Sequence, residues 1–223
     1  MDRGTQATLP CSLEQNAGSA MKWLLVGVLC AGVQVMPAQP TQRWMQVYDD
    51  GGVSNGGASV ALYGDTSYRI AVRSVQQGVG NLRAFIIDST GDSIHSAVIT
   101  DTAHTFLGAG AYSVQRMNNG EWQWVGTAIP IGGGEPDGRL VRFDSAASML
   151  WVRTYDTQAF DGFNGMAMHA DGGALLAGAY AVNGTSPTDV YAVRVDANGD
   201  TLWTRTYGGP NTTENVYCAR LTP

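Results

Sequence analysis

The sequence predicts an all-β protein built from tandem four-stranded antiparallel units. A strand motif with the form W-x-x-x-Y reads WMQVY at 44–48, WVRTY at 151–155 and WTRTY at 203–207. Two further sets of landmarks share one pair of spacings, 56 and then 52 residues: Asp88, Asp144 and Asp196, and Gly64, Gly120 and Gly172. Landmarks that keep a common phase over a period of about fifty residues indicate a structural repeat.

Each unit is expected to contain four short strands joined by tight turns. The expected strands of the first unit are 58–62, 68–75, 82–87 and 93–99; those of the second are 112–117, 121–129, 139–144 and 149–155; those of the third are 165–170, 174–182, 190–196 and 201–207. The best defined strand, VYAVRV at 190–195, is rich in β-branched and aromatic residues, which suit a pleated surface. The Asn198-Gly199 step that follows it is typical of a hairpin turn. Single strands are expected before and after these units, at 43–48 and 215–221.

Four-stranded units of this length in tandem are typical of β-propeller blades. The lone strand at 43–48 carries the motif of a last strand, and such a strand closes a propeller ring by completing the final blade. We therefore expect an incomplete propeller of about three blades plus flanking strands. Alternation along the strand places Trp203, Arg205 and Tyr207 on one face. Packing against a neighbouring sheet is the favoured role of this face, and a ligand-stacking platform is the alternative.

The segment 189–209, DVYAVRVDANGDTLWTRTYGG, with Asp171-Gly172-Gly173 and Leu176-Ala177-Gly178 before it, resembles the tandem propeller repeats of secreted bacterial surface proteins. The resemblance covers about 43–223 and is strongest over 138–209. It implies a secreted or surface-displayed propeller of unassigned biochemical role. Such proteins often carry a C-terminal sorting domain, which this sequence lacks. The first unit is degenerate, and the chain stops where a further unit would begin, so we expect a fragment.

The N-terminal part reads as a targeting segment. Residues 1–20 show no periodic pattern and are expected to be disordered or a misassigned extension. Residues 21–38, MKWLLVGVLCAGVQVMPA, combine a basic residue with a short apolar run, as in a secretory signal peptide (Met21–Ala38). The repeat domain is then 39–223, with units at about 57–103, 108–156 and 163–207 and the start of a further unit at 215–223. Removal of the leader would leave Cys218 as the only cysteine and no membrane span.

Charge and motif content argue against several classes of function. The formal net charge is −6, whereas a nucleic-acid binder needs a basic surface. His95, His104 and His169 lack metal-ligand spacing, and no catalytic constellation is found, so we expect no enzyme activity. Asp196-x-Asn198-x-Asp200 imitates half of a calcium loop, but Thr201 and Tyr207 stand where that loop needs Gly and Glu. A turn-stabilising role for Asp196 is favoured, and no cofactor is expected.

One set of residues forms a candidate ligand-binding site. Acidic residues follow the last strand of each unit, in the connections that a propeller gathers on one face: Asp49, Asp50, Asp101, Asp156, Asp161 and Glu214. These acids and the nearby glycines would form a rim able to bind a cation or a polar partner. Ordinary solvated loop acids are the alternative interpretation.

The function that follows is an exported, non-enzymatic binding or scaffold module at the bacterial cell surface. It would contact an extracellular protein or glycan through loops on one propeller face. A first alternative is a fragment of a propeller enzyme, a hydrolase, lyase or quinoprotein, with its active site in other blades. A second is a structural spacer of an adhesin.

Overall fold

The computed structural model describes residues 47–48, 54–63, 66–108, 110, 112–181 and 187–222. These residues belong to one compact unit, 44–223. They form thirteen strands, each paired with antiparallel neighbours, and no helix is found among them. Accordingly, this part of the chain contains no helix that could span a membrane. The expected leader at 21–38 and the extension at 1–20 lie outside the described residues.

Three antiparallel sheets follow one another along the chain. Sheet 1 consists of β1 (Ser54–Tyr63), β2 (Ser67–Gln76), β3 (Val79–Asp88) and β4 (Ser93–Ile99). Sheet 2 consists of β5 (His104–Gly108), β6 (Val114–Arg116), β7 (Trp122–Pro130), β8 (Asp137–Phe143) and β9 (Met149–Tyr155), with β5 and β6 both paired to β7. Sheet 3 consists of β10 (Phe160–Met168), β11 (Ala174–Ala181), β12 (Asp189–Val195) and β13 (Thr201–Tyr207). The prediction of an all-β chain of four-stranded antiparallel units is confirmed, with a fifth strand in sheet 2.

Three strand predictions need correction. The first strand of the second unit was expected at 112–117, but only the three residues of β6 form a strand in that range, and a separate strand, β5, precedes it at His104–Gly108. The first strand of the third unit was expected at 165–170 and begins earlier, at Phe160. The expected strand at 215–221 does not form, because a strand needs a neighbour joined by a ladder of backbone hydrogen bonds. This segment lies beside β10 and is joined to it by a hydrogen bond from Asn164 Nδ2 to the Val216 carbonyl oxygen, 3.0 Å. Of the expected strand at 43–48, only 47–48 are described, and they are not in a strand.

Two hydrophobic clusters join the sheets face to face. One contains side chains of sheets 1 and 2, including Leu82, Ile86, Trp122 and Trp124. The other contains side chains of sheets 2 and 3, including Leu140. Alternation explains the division: along β7 and β8, one set of side chains faces sheet 1 and the intervening set faces sheet 3. Sheet 2 is therefore buried on both faces.

Close packing between sheets 2 and 3 requires glycine at one position. An added Cβ on Gly138 would lie 2.3 Å from Cε2 of Phe163. The Phe163 ring is fully buried and stacks on Tyr191 with ring centroids 5.6 Å apart. Gly138 thus allows the aromatic core of sheet 3 to press directly on the backbone of β8.

Two opposite ends of the sheets have different characters. The turn end carries tight turns, including 88–92, 144–148 and 196–200. The connection end carries the links from the last strand of one sheet to the first strand of the next, at 100–103 and 156–159. This end also holds the beginnings of β8 and β12.

Candidate functional site

The predicted acidic residues that the structure describes lie at the connection end. Asp101 and Asp156 lie in the links between sheets, Asp161 is the second residue of β10, and Glu214 follows β13. Asp49 and Asp50 lie outside the described residues. Three of the four described acids, Asp101, Asp156 and Asp161, belong to one polar group, which we call the connection-end cluster.

Asp101 anchors one side of this cluster. Its Oδ2 lies 3.1 Å from Nδ1 of His104 and 3.6 Å from Nη2 of Arg139. Its Oδ1 accepts the backbone N–H of Ala103 at 2.8 Å. Burial alone would raise the pKa of Asp101, but the hydrogen bonds from Ala103 and His104 and the positive charge of Arg139 outweigh it and hold the pKa below its usual value. Asp101 is therefore a carboxylate at neutral pH.

Asp137 extends the cluster inward. It begins β8 and is 7% exposed, and its Oδ2 lies 4.0 Å from Nε2 of His104. Burial raises the pKa of Asp137, and the negative charge of Asp156 adds to this rise. The charges of Arg139 and His104 oppose it. His104 therefore lies between Asp101, whose ionised form is stabilised, and Asp137, whose ionised form is disfavoured by burial.

Asp161 is the most deeply buried acid, with no exposed surface. Its carboxylate accepts the backbone N–H and the hydroxyl of Thr157, both at 2.8 Å to Oδ2. Burial raises the pKa of Asp161 to about 6, against the effect of these hydrogen bonds and with a contribution from the charges of Asp137 and Asp156. Because the carboxyl is enclosed, it orders the connection and does not touch solvent or a substrate.

Arg139 supplies the positive charge at the centre of the cluster. It is 2% exposed, and its Nη1 donates to Oγ1 of Thr154. Its Nε is buried and has no hydrogen-bond partner. Four aspartates, 101, 137, 156 and 161, surround this region, so the connection end is a net negative, partly desolvated surface. Such a surface suits a partner that brings positive charge or hydrogen-bond donors.

Glu214 repeats the position of Asp161 one unit further along. The N–H of Glu214 donates to the Thr188 carbonyl at 2.8 Å, and the N–H of Asp161 donates to the Pro136 carbonyl at the same distance. Thr188 and Pro136 each precede the third strand of a sheet. Glu214 Oε1 accepts the hydroxyl of Thr212 at 2.6 Å, and its Oε2 is buried with no hydrogen-bond partner. Acidic side chains therefore recur at this end in register with the repeat.

No group of three or more His, Cys, Asp or Glu residues in the described chain has the arrangement of a metal site. At the turn end, Oδ1 of Asp196 accepts the backbone N–H groups of Asn198 at 2.8 Å and Asp200 at 2.9 Å. Asp88 and Asp144 make the same pair of bonds in their own turns. The predicted turn-stabilising role of Asp196 is confirmed, and Asp88 and Asp144 have the same role, because their Oδ1 atoms accept backbone N–H groups of the turn.

A groove of about 760 Å³ runs beside β1, β6 and β10. Its described walls include Arg116, Met166, Met168 and Arg220. The Arg220 guanidinium lies over the ring of Tyr112, 4.6 Å from its centroid. No acidic residue is among the described lining residues, so the groove contrasts in charge with the connection end. Sequence reasoning did not predict this groove, because its walls come from strands about fifty residues apart.

Sequence reasoning also missed three members of the connection-end cluster: His104, Asp137 and Arg139. A usable signal existed for two of them. Asp137 and Asp189 both begin the third strand of a sheet and lie 52 residues apart, and Arg139 lies 56 residues after Arg83. Both distances are spacings of the repeat, whereas neither spacing marks His104. Comparison of the sequence with protein-family models finds no match, and a search of curated proteins also finds none.

Proposed function

We propose that this chain is a propeller-type binding or scaffold module that contacts its partner through the connection end. The propeller arrangement is supported by three sheets that stack face to face in chain order. It is also supported by a parallel bridge between Tyr112 and Gly165, which brings the first-strand sides of sheets 2 and 3 together. The resemblance of 189–209 to repeats of secreted bacterial surface proteins supports a place outside the cell, as does the leader-like segment at 21–38.

The observation that carries the binding function is the connection-end cluster. It combines a stabilised carboxylate, Asp101, an exposed one, Asp156, and a buried arginine, Arg139, on a scaffold of strand ends. Rigid strands that present a charged set of connections form a typical recognition surface. The proposed partner is an extracellular protein or glycan with cationic or hydrogen-bond-donating groups. The enclosure of Asp161 favours a binding role over a catalytic one.

The test measures binding of the full chain to a glycan array and to intact bacteria. Asp101→Asn and Asp156→Asn keep an acceptor oxygen and remove the charge, so we expect each to weaken binding about tenfold, as for a lost charged hydrogen bond. Asp92→Asn is the matched control, because Asp92 is an exposed acid at the turn end. We expect it to leave binding unchanged.

A second control separates the two candidate surfaces. Arg116→Gln removes a charge from the groove wall and should not affect binding through the connection end. If Arg116→Gln abolishes binding and the aspartate variants do not, the partner occupies the groove and the proposal is wrong. If the intact chain binds no glycan and no cell surface, the proposed binding function is wrong and the structural spacer is favoured.

A further inference from the structure

The junction between sheets 2 and 3 is built from the last strand of one sheet and a tight turn of the next. The hydroxyl of Tyr155 donates to the Gly199 carbonyl at 2.8 Å. An added Cβ on Gly199 would lie 2.9 Å from Cγ of Arg153 and 3.0 Å from the Trp151 ring. Nε of Arg153 lies 3.9 Å from Oδ1 of Asp200. The 151–155 strand therefore covers the turn 196–200 with three side chains of one face.

A fourth side chain completes this junction. Nη1 of Arg142 donates to the Ala197 carbonyl at 2.6 Å, and Arg142 is held in place by an ion pair with Glu121. The same junction recurs at the start of the described chain. The hydroxyl of Tyr48 donates to the Gly91 carbonyl in the turn 88–92. Tyr48 and Tyr155 occupy the same motif position, so one mode of attachment is used twice.

Sheet 3 carries the same four side chains 52 positions later: Arg194, Trp203, Arg205 and Tyr207. We call these four the terminal face. Arg194 pairs across the sheet with Trp203, and Tyr207 pairs with Val190. An ion pair with Asp171 holds Arg194 as Glu121 holds Arg142. The Arg205 guanidinium lies over the Trp203 ring, 6.0 Å from its centroid.

The terminal face is open to solvent. Trp203 is 40% exposed and Tyr207 is 57% exposed, whereas Tyr155 is 7% exposed. An exposed row of Trp, Arg and Tyr on one face of a sheet is unusual for a surface without a partner. The strand sequences WVRTY and WTRTY differ at one position. The difference in exposure therefore comes from what each strand faces and not from its composition.

We propose that the terminal face is a docking surface for another four-stranded unit of this repeat, through that unit's Asp-x-x-Gly turn. The docked turn would make the contacts that 196–200 makes with sheet 2. Its glycine carbonyl would accept a hydrogen bond from the Tyr207 hydroxyl, and the carbonyl of its second residue would accept one from Arg194. The acidic residue after its glycine would face Arg205. The surface continues an interface that the chain already forms between sheets 2 and 3. This inference does not depend on the proposed binding function, because it concerns the outer face of sheet 3 and not the connection end. Its test measures stability and not binding.

A second copy of the chain is a poorer occupant, because its turns are already covered. The carbonyls of Gly91 and Gly199 accept Tyr48 and Tyr155. In the turn 144–148, Ala147 corresponds to these glycines and is fully buried. Ile99, which corresponds to Tyr155 in the repeat, belongs to the same hydrophobic cluster as Ala147. A second copy would have to release one of these contacts before it could dock.

The test extends the full chain by a second copy of residues 157–208, inserted after Gly208. Because the repeat spacing is 52 residues, the added turn then follows Tyr207 as 196–200 follows Tyr155. Tyr207→Phe is compared in the original and the extended chain by urea unfolding. We expect an about fivefold rise in the unfolding equilibrium constant in the extended chain, as for one lost buried hydrogen bond, and no change in the original.

Tyr217→Phe is the matched control, because Tyr217 is 78% exposed and is expected to have no effect in either chain. The proposal is overturned if Tyr207→Phe has the same effect in both chains, or if the extended chain does not fold as one unit. Sedimentation of the original chain adds an independent arm. A monomer supports the proposal, whereas a dimer that Trp203→Ala dissociates would identify a second copy as the occupant and overturn it.

Discussion

Removal of the Tyr155 hydroxyl probes the attachment of sheet 3 to sheet 2. The tyrosine is 7% exposed, its hydroxyl donates to the Gly199 carbonyl at 2.8 Å, and burial raises its pKa above the ordinary value. Tyr155→Phe keeps the ring and its edge contact with Phe163, at a centroid distance of 5.6 Å. The change leaves the carbonyl without its donor, which costs about 1–3 kcal/mol.

Tyr207→Phe is the internal control, since Tyr207 occupies the same motif position but is 57% exposed. Because an exposed hydroxyl is hydrated in both the folded and the unfolded chain, the expected change in the free energy of unfolding is within about 0.5 kcal/mol. Urea unfolding measures both variants. With a slope of about 2 kcal/mol per molar urea, Tyr155→Phe should lower the midpoint by about 0.5–1.5 M. Equal midpoints for the two variants would refute the assignment of Tyr155 as the residue that fastens the two sheets.

Two further predictions use the same urea assay. Gly138→Ala places a Cβ 2.3 Å from the buried Phe163 ring and should lower the free energy of unfolding by about 1–3 kcal/mol. Gly132→Ala is the control and should leave it unchanged, because no atom lies within 4 Å of the added Cβ. Equal effects of the two substitutions would argue against the close packing. Burial raises the pKa of Asp161 to about 6, whereas an aspartate of an unfolded chain has a pKa of about 3.9. The folded state therefore binds this proton more tightly than the unfolded state does. The stability that this group contributes is lost as the pH rises from about 4 to 6. Asp161→Asn should remove that loss, so its midpoint relative to the unaltered chain should rise over this pH range; a constant difference would contradict the assigned pKa.

Sheet 3 shows how much of the fold the sequence could predict. Its last three strands were expected at 174–182, 190–196 and 201–207, and the structure has them at Ala174–Ala181, Asp189–Val195 and Thr201–Tyr207. β12 (DVYAVRV) and β13 (TLWTRTY) are rich in β-branched and aromatic residues. A turn at 169–173 precedes β11, and a turn at 196–200 joins β12 to β13. Local preference and tertiary pairing therefore agree in this sheet.

The failures occur where local preference does not decide. The five residues of β5, HTFLG, fall between the landmarks of the repeat and become a strand only because β7 offers them an edge. Residues 215–221 have strand-like composition but no strand pairs with them. In both places the pairing partner determines the structure, and that partner is distant in the sequence.

The candidate site divides in the same way. The position of Asp101, Asp156 and Asp161 at one end of the sheets could be predicted, because the repeat places every link between units at that end. The pairing of Asp101 with His104 and Arg139 could not, since it depends on how β5 and β8 begin across the width of sheet 2. Spacing along the chain predicts the end of the sheet on which a residue lies, but it does not predict the contacts of that residue.

Hydrogen exchange tests the stacked arrangement most directly. The strands at 149–155 and 201–207 have nearly the same sequence and both are last strands of their sheets, yet only the first is covered by a following sheet. We predict that the amides of 149–155 exchange at least about tenfold more slowly than those of 201–207 in the full chain, because opening the covered strand also disrupts the junction. Equal protection of the two strands would contradict the stack.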